Sequence, residues 1–75
     1  MISTASMTPH EFGEARRKLG LSCSQLARLL DTDAQTVRRY EMDEDAATAR
    51  KPAPRVVRLM RAYLAGYRPD DWPQD

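Results

Sequence analysis

Three helix-start signals lie close together in the first half of this 75-residue chain. Thr8-Pro9-His10-Glu11 reads as a capping box, with Thr8 at the N-cap, proline at the first helical position and Glu11 reaching back from the third. Ser22 is a second N-cap, with Gln25 three residues on, and Asp33 is a third. Each new cap obliges the preceding helix to stop, so the first half must be several short helices. A helix of about two turns does not persist alone in water. The segments must therefore hold one another, and the expected fold is a compact, all-α unit.

The apolar pattern assigns a face to each helix. Phe12, Ala15, Arg16 and Leu19 repeat at helical spacing, and Gly20 is the stop. Leu26, Leu29 and Leu30 line the second helix, which ends at Asp31-Thr32-Asp33. Val37 and Tyr40 point inward from the third, leaving Gln35, Arg38, Arg39 and Ala34 outward. Only about three residues separate these two helices, which forces an angled pair. A loop from Asp43 to Pro54 follows, and prolines confine the next helix start to Pro54 or Arg55. Val56, Leu59, Met60, Tyr63 and Leu64 are its expected inner face, and Gly66 its end. Residues 1–6 read as a disordered lead-in, 7–66 as one domain and 67–75 as a tail containing Trp72.

Composition removes several function classes. A domain of this size buries only roughly 60% of its unfolded surface, too little to enclose a deep active site. His10 is the one histidine and Cys23 the one cysteine, so neither a zinc-type ligand set nor an internal disulfide is expected. No nucleophile sits beside a base and an orienting group. No metal, cofactor or enzymatic activity is expected. No apolar run reaches the roughly 20 residues needed to span a bilayer, and the first residues lack the pattern of a signal peptide. A cytoplasmic location is expected.

The net charge of +1 conceals an uneven distribution. Residues 34–68 hold eight basic groups against four acidic, whereas the last seven hold only Asp70, Asp71 and Asp75. Ten of the twelve basic residues are arginine, whose planar fork suits phosphate or guanine.

With these elements in place, the stretch from Leu21 to Glu41 resembles the helix-turn-helix of phage Cro and repressor-like transcriptional regulators, the xenobiotic-response-element family. The resemblance rests on Leu21-Ser22, Leu26-Ala27, Val37 and the closing pair Tyr40-Glu41, and runs from about Met7 through the fourth helix. It implies a λ-repressor-like domain whose recognition helix, at about 34–42, enters the major groove of duplex DNA. It implies that Asp31 occupies a left-handed position in the turn, where the family has glycine. It also implies a partly buried ion pair between Arg16 and Glu41.

On this resemblance the base-reading candidates are Ala34, Gln35, Arg38 and Arg39. Arginine can bond guanine O6 and N7 together, and glutamine adenine N6 and N7. The phosphate-contact candidates are Ser22, Ser24, Arg28, Thr36, Arg50, Lys51 and Arg55. The expected function is sequence-specific binding of an inverted-repeat operator by a homodimeric repressor, with Tyr63, Tyr67 and Trp72 as dimer candidates. The alternative for Trp72 is to fold back on the fourth helix. Two departures stand out: Cys23 replaces a phosphate-touching glutamine, and Asp43-Glu44-Asp45 follows the recognition helix. They shift the phosphate clamp toward Arg50, Lys51 and Arg55. They also motivate a second reading, a protein-interaction adaptor of the same fold that does not bind DNA.

Overall fold

All three N-caps close as their side chains dictate. In the computed structural model, which describes residues 6–43 and 45–73, the elements are α1 (Pro9–Lys18), α2 (Cys23–Leu29), α3 (Ala34–Tyr40) and α4 (Pro54–Leu64). Thr8 Oγ1 accepts from the Glu11 amide at 3.1 Å while Glu11 Oε1 accepts from the Thr8 amide at 2.8 Å. Ser22 and Gln25 make the same reciprocal pair at 3.0 and 2.9 Å. Asp33 Oδ1 accepts from the Thr36 amide at 2.7 Å. No strand forms among the described residues, so the fold is all-α with four helices. Most of the lead-in (residues 1–5), Glu44 of the acidic run, and Gln74 and Asp75 of the tail lie outside the described residues.

Three of the four helices end in one geometry. After α1, the Gly20 amide donates to Arg17 O at 3.0 Å and the Leu21 amide to Arg16 O at 3.3 Å. After α2, Asp31 and Thr32 donate to Arg28 O at 3.3 Å and Ala27 O at 2.9 Å. After α4, Gly66 and Tyr67 donate to Tyr63 O and Ala62 O, both at 3.0 Å. This double closure needs a left-handed residue just past the helix. Gly20 has φ 71°, Gly66 φ 112° and Asp31 φ 57°. Asp31 thus takes the left-handed turn position with a side chain attached, which aspartate tolerates better than most residues.

α3 ends differently, and two residues earlier than its sequence suggests. Glu41 is its C-cap, and the Met42 amide returns to Arg39 O at 3.3 Å. The Glu41 carboxylate is drawn to α1, where Arg16 grips it with two bonds: Nε to Oε2 at 2.7 Å and Nη2 to Oε1 at 3.1 Å. Both side chains are only 17% exposed. Arg16 Nη1 also donates to Leu21 O at 3.0 Å, so one guanidinium ties α1 to the start of α2 and the end of α3. The bonds to Glu41 stabilise the charged guanidinium and raise its pKa.

The core is where the four apolar stripes meet. Phe12, Leu26, Val37, Val57 and Met60 have no exposed surface, and Ala15, Ala27 and Tyr63 almost none. Tyr40 closes one side with its ring edge-on to Phe12, centroids 5.3 Å apart. The inner face of α4 requires correction. Val57, absent from the expected stripe, is fully buried, while Leu64 is 43% exposed and Val56 and Leu59 are half-buried. Apolar residues from 56 to 64 cover an arc wider than one helix face. Of these, Val57, Met60 and Tyr63 are the ones buried.

The tail folds back on its own chain. The Trp72 ring meets Tyr63 edge-on at 5.1 Å, and the Arg68 guanidinium lies 4.2 Å above the indole. Arg68 Nη1 donates to Tyr63 O, in the last turn of α4, and to Tyr67 O in the tail, both at 2.8 Å.

Two outcomes follow for stability. Glu41→Ala strands the Arg16 charge in a mostly buried position and should cost about 3 kcal/mol, read as a lower urea midpoint at unchanged slope; a loss under about 1 kcal/mol would show the pair to be dispensable. Gly13, buried in α1, faces the same carboxylate: an added Cβ would sit 3.2 Å from Glu41 Oε1. Gly13→Ala should therefore not deliver the roughly 1 kcal/mol that glycine-to-alanine gives in an unobstructed helix.

Candidate nucleic-acid interface

The outer face of α3 is built by what its inner face must do. Val37 is fully buried and Tyr40 half-buried, which fixes the helix's rotation. At about 100° per residue, Gln35, Arg38 and Arg39 then lie within roughly 50° of the direction opposite that pair. Gln35 and Arg38 are exposed, and Arg39 is half-buried. Ala34 and Thr36 fall on the flanks, and both are half-buried. Four residues, 30–33, join α2 to α3, and the two helices pack closely across Ala27, only 3% exposed. The result is a short helix presenting one amide and two guanidinium groups, braced from behind by α2.

The remaining candidates divide into separate groups. Ser22 and Ser24, at the start of α2, are both exposed. The Ser22 oxygen already accepts the Gln25 amide, so what it can offer a ligand is its hydroxyl proton. Arg28 is exposed in the last turn of α2. Arg50 is joined to the end of α3 by its own amide, which donates to Arg39 O at 3.2 Å. Arg50 and Lys51 line a groove with Met7, Pro9 and Met42, whereas Arg55 lines another with Leu30 and Asp31. The three cations therefore flank the start of α4 on two sides instead of forming one cluster. α4 itself opens on Ala53, which supplies no side-chain cap, and on Pro54, which has no amide hydrogen.

Asp33 immediately precedes α3. Its bonds from the Thr36 amide hold the carboxyl below its usual range, and the charges of Arg39 and Arg50 add to that. The acidic run after α3 is partly self-occupied, since Asp43 Oδ1 accepts from the Asp45 amide at 3.1 Å.

Of the aromatic dimer candidates, Tyr63 is 2% exposed and Trp72 is packed against it. Tyr67 is 53% exposed, with one face stacked on Tyr63 at 5.9 Å. Three working contacts escaped sequence reasoning: Arg68 on Trp72, Arg61 Nη2 donating to Ser6 O at 3.0 Å, and Gly13 under Glu41. A basic residue two to four positions past the helix-ending glycine was the available signal for Arg68. Arg61 and Gly13 depend on tertiary contacts and left none.

Among the described residues no three of His, Cys, Asp and Glu converge as a metal site. No helix among them is long and apolar enough to cross a membrane. Comparison with protein-family models, curated proteins and solved structures yields no match to this chain.

The Asp33 cap has a testable pH signature. A depressed carboxyl pKa contributes stability that is present above the ordinary value of 3.8 and lost as pH falls through the lower folded value. Asp33→Asn keeps a capping oxygen without the titration. The variant should melt close to wild type at neutral pH and lose less of its Tm below about pH 4. Parallel acid limbs in thermal melts would contradict the assignment.

Proposed function

We propose that this chain is a sequence-specific, double-stranded-DNA-binding regulator of the Cro and repressor-like type, with α3 as the recognition helix. The observation that carries the reading is the α2–α3 pair: two seven-residue helices joined through a left-handed Asp31, with Gln35, Arg38 and Arg39 on the face turned away from the core. A rigid short helix with this outer face fits the major groove, where arginine and glutamine make bidentate contacts to guanine and adenine. The Arg16–Glu41 clamp holds the end of α3, which supports a role requiring a fixed rather than a mobile helix.

The proposed division of labour follows the geometry. Gln35 and Arg38 read base edges, with Arg39 beside them, and Ala34 or Thr36 can meet a thymine methyl at the flanks. Ser22, Ser24 and Arg28 from α2, with Arg50 and Lys51 from the loop, position the domain on phosphates. Arg55 lines a different groove from Arg50 and Lys51 and is left out of the phosphate set. Eight basic groups against four acidic in residues 34–68 supply the general attraction. Occupation of promoter DNA by such a domain blocks access for other proteins, which makes repression the simplest outcome. A single domain reads few base pairs, so the proposed target is an inverted repeat bound by two copies.

Selection of bound sequences from random duplex DNA, followed by salt titration, tests the reading. A defined half-site should emerge, and affinity should fall steeply as salt rises. Arg38→Ala should cost about 1–3 kcal/mol and relax preference at one base position, whereas Lys51→Ala should weaken all sequences alike and lower the salt slope by about one. A folded protein with no measurable duplex affinity at low salt would instead favour the adaptor reading.

A further inference from the structure

The groove between the end of α2 and the outer side of α4 has no assigned role. Leu30, Val56 and Leu59 line it, all half-buried, and Tyr67 stands at its edge with half its surface exposed. Val56 and Leu59 are apolar residues that α4 carries beside its buried stripe, Leu30 is the C-cap of α2, and Tyr67 follows α4. The groove also contains charges of both signs. Asp31 projects from the left-handed turn on one wall, and Arg55 and Arg58 from α4 on the other. All three are exposed, and among the described residues none is in an ion pair.

A surface with an apolar floor and unpaired charges of opposite sign on its two walls is complementary to itself. A two-fold axis through such a groove sets each Asp31 against the partner's basic wall and each basic wall against the partner's Asp31, while the apolar floors cover each other. Duplex DNA fits the surface poorly, because the floor is apolar and Asp31 repels phosphate. We infer that this groove is a homodimer interface, with the Asp31 wall of one copy meeting the Arg55 and Arg58 wall of the other over Leu30, Val56 and Leu59. The turn carrying Asp31 leads directly into α3, so an axis here would hold two α3 helices on either side of it. The inference deepens the two-copy reading under Proposed function, but its surface argument is independent of DNA.

The interface is tested without DNA, by sedimentation equilibrium over a range of protein and salt concentrations. The wild-type chain should show a monomer–dimer equilibrium that weakens with salt. Arg58→Glu, an exposed change that places acid against acid, should raise the dimer Kd by roughly tenfold or more. Asp31→Gly separates interface from fold: glycine suits the left-handed turn, so thermal stability should hold or rise while dimerisation falls. Leu64→Glu, on exposed surface outside the groove, should change neither. A chain that stays monomeric throughout, or a dimer indifferent to Arg58→Glu and Asp31→Gly, overturns the interface. Salt-sensitive dimers that fail to bind any duplex overturn the DNA-binding reading alone, whereas selective duplex binding by a strict monomer overturns only the interface.

Discussion

One guanidinium holds the parts of this domain in register. Arg16 grips both oxygens of Glu41 and a backbone carbonyl at Leu21, so α1, the entry to α2 and the exit of α3 converge on a single side chain. Its value depends on its surroundings. Exposed ion pairs contribute little, because water competes for both partners. Here both side chains are largely covered, every bond is well directed, and loss of either partner leaves a charge without compensation. Gly13 is part of the same arrangement, since a side chain at that position would intrude on the carboxylate. The backbone freedom that glycine costs α1 is offset by the close approach it permits.

That constraint matters because the hydrophobic core is thin. α2 and α3 have seven residues each, too few to be stable as isolated helices. They persist because capping satisfies their ends and because Leu26, Ala27 and Val37 anchor them to α1 and α4. The ends receive unusual attention for so small a chain. Three helices carry a side-chain N-cap, and three close at their C-termini with a pair of backbone hydrogen bonds. The tail adds a further closure, with Arg68 bonding the Tyr63 carbonyl in the last turn of α4 while its guanidinium lies over the Trp72 ring.

The helix order, the caps and the turn conformations were legible in the sequence because each is a local event. Thr8, Ser22 and Asp33 announce helix starts by chemistry that spans three residues, and Gly20 and Gly66 mark helix ends by a single backbone requirement. The outer face of α3 was legible for the same reason: once Val37 and Tyr40 are inward, helical geometry leaves Gln35, Arg38 and Arg39 outward. Long-range packing was less so. α4 offers apolar side chains over too wide an arc, and periodicity alone could not distinguish Val57 as core from Leu64 as surface. The partition of Arg50 and Lys51 from Arg55 was similarly hidden, since all three are near neighbours in sequence but lie on opposite sides of the α4 start. The Arg16–Glu41 pair spans 25 residues, and local patterning gives no sign of it; only the family resemblance anticipated it.

The surplus that misled the α4 assignment has a physical consequence of its own. A helix that buries Val57, Met60 and Tyr63 fully leaves Val56 and Leu59 only half-covered beside them, with Tyr67 half-exposed just past its end. Half-covered apolar residues on a small domain weaken solubility unless something covers them. The outer surface of α3 shows the reverse pattern: exposed Gln35 and Arg38 with Arg39 beside them, polar and cationic. The two surfaces therefore suit different kinds of neighbour, a polyanion on α3 and an apolar, charge-paired surface on α4. The turn at Asp31 lies between them, so whatever covers the α4 groove also bears on where α3 points. In a domain this small, whatever packs on the α4 groove and the direction of α3 are coupled through three residues of backbone, 31–33.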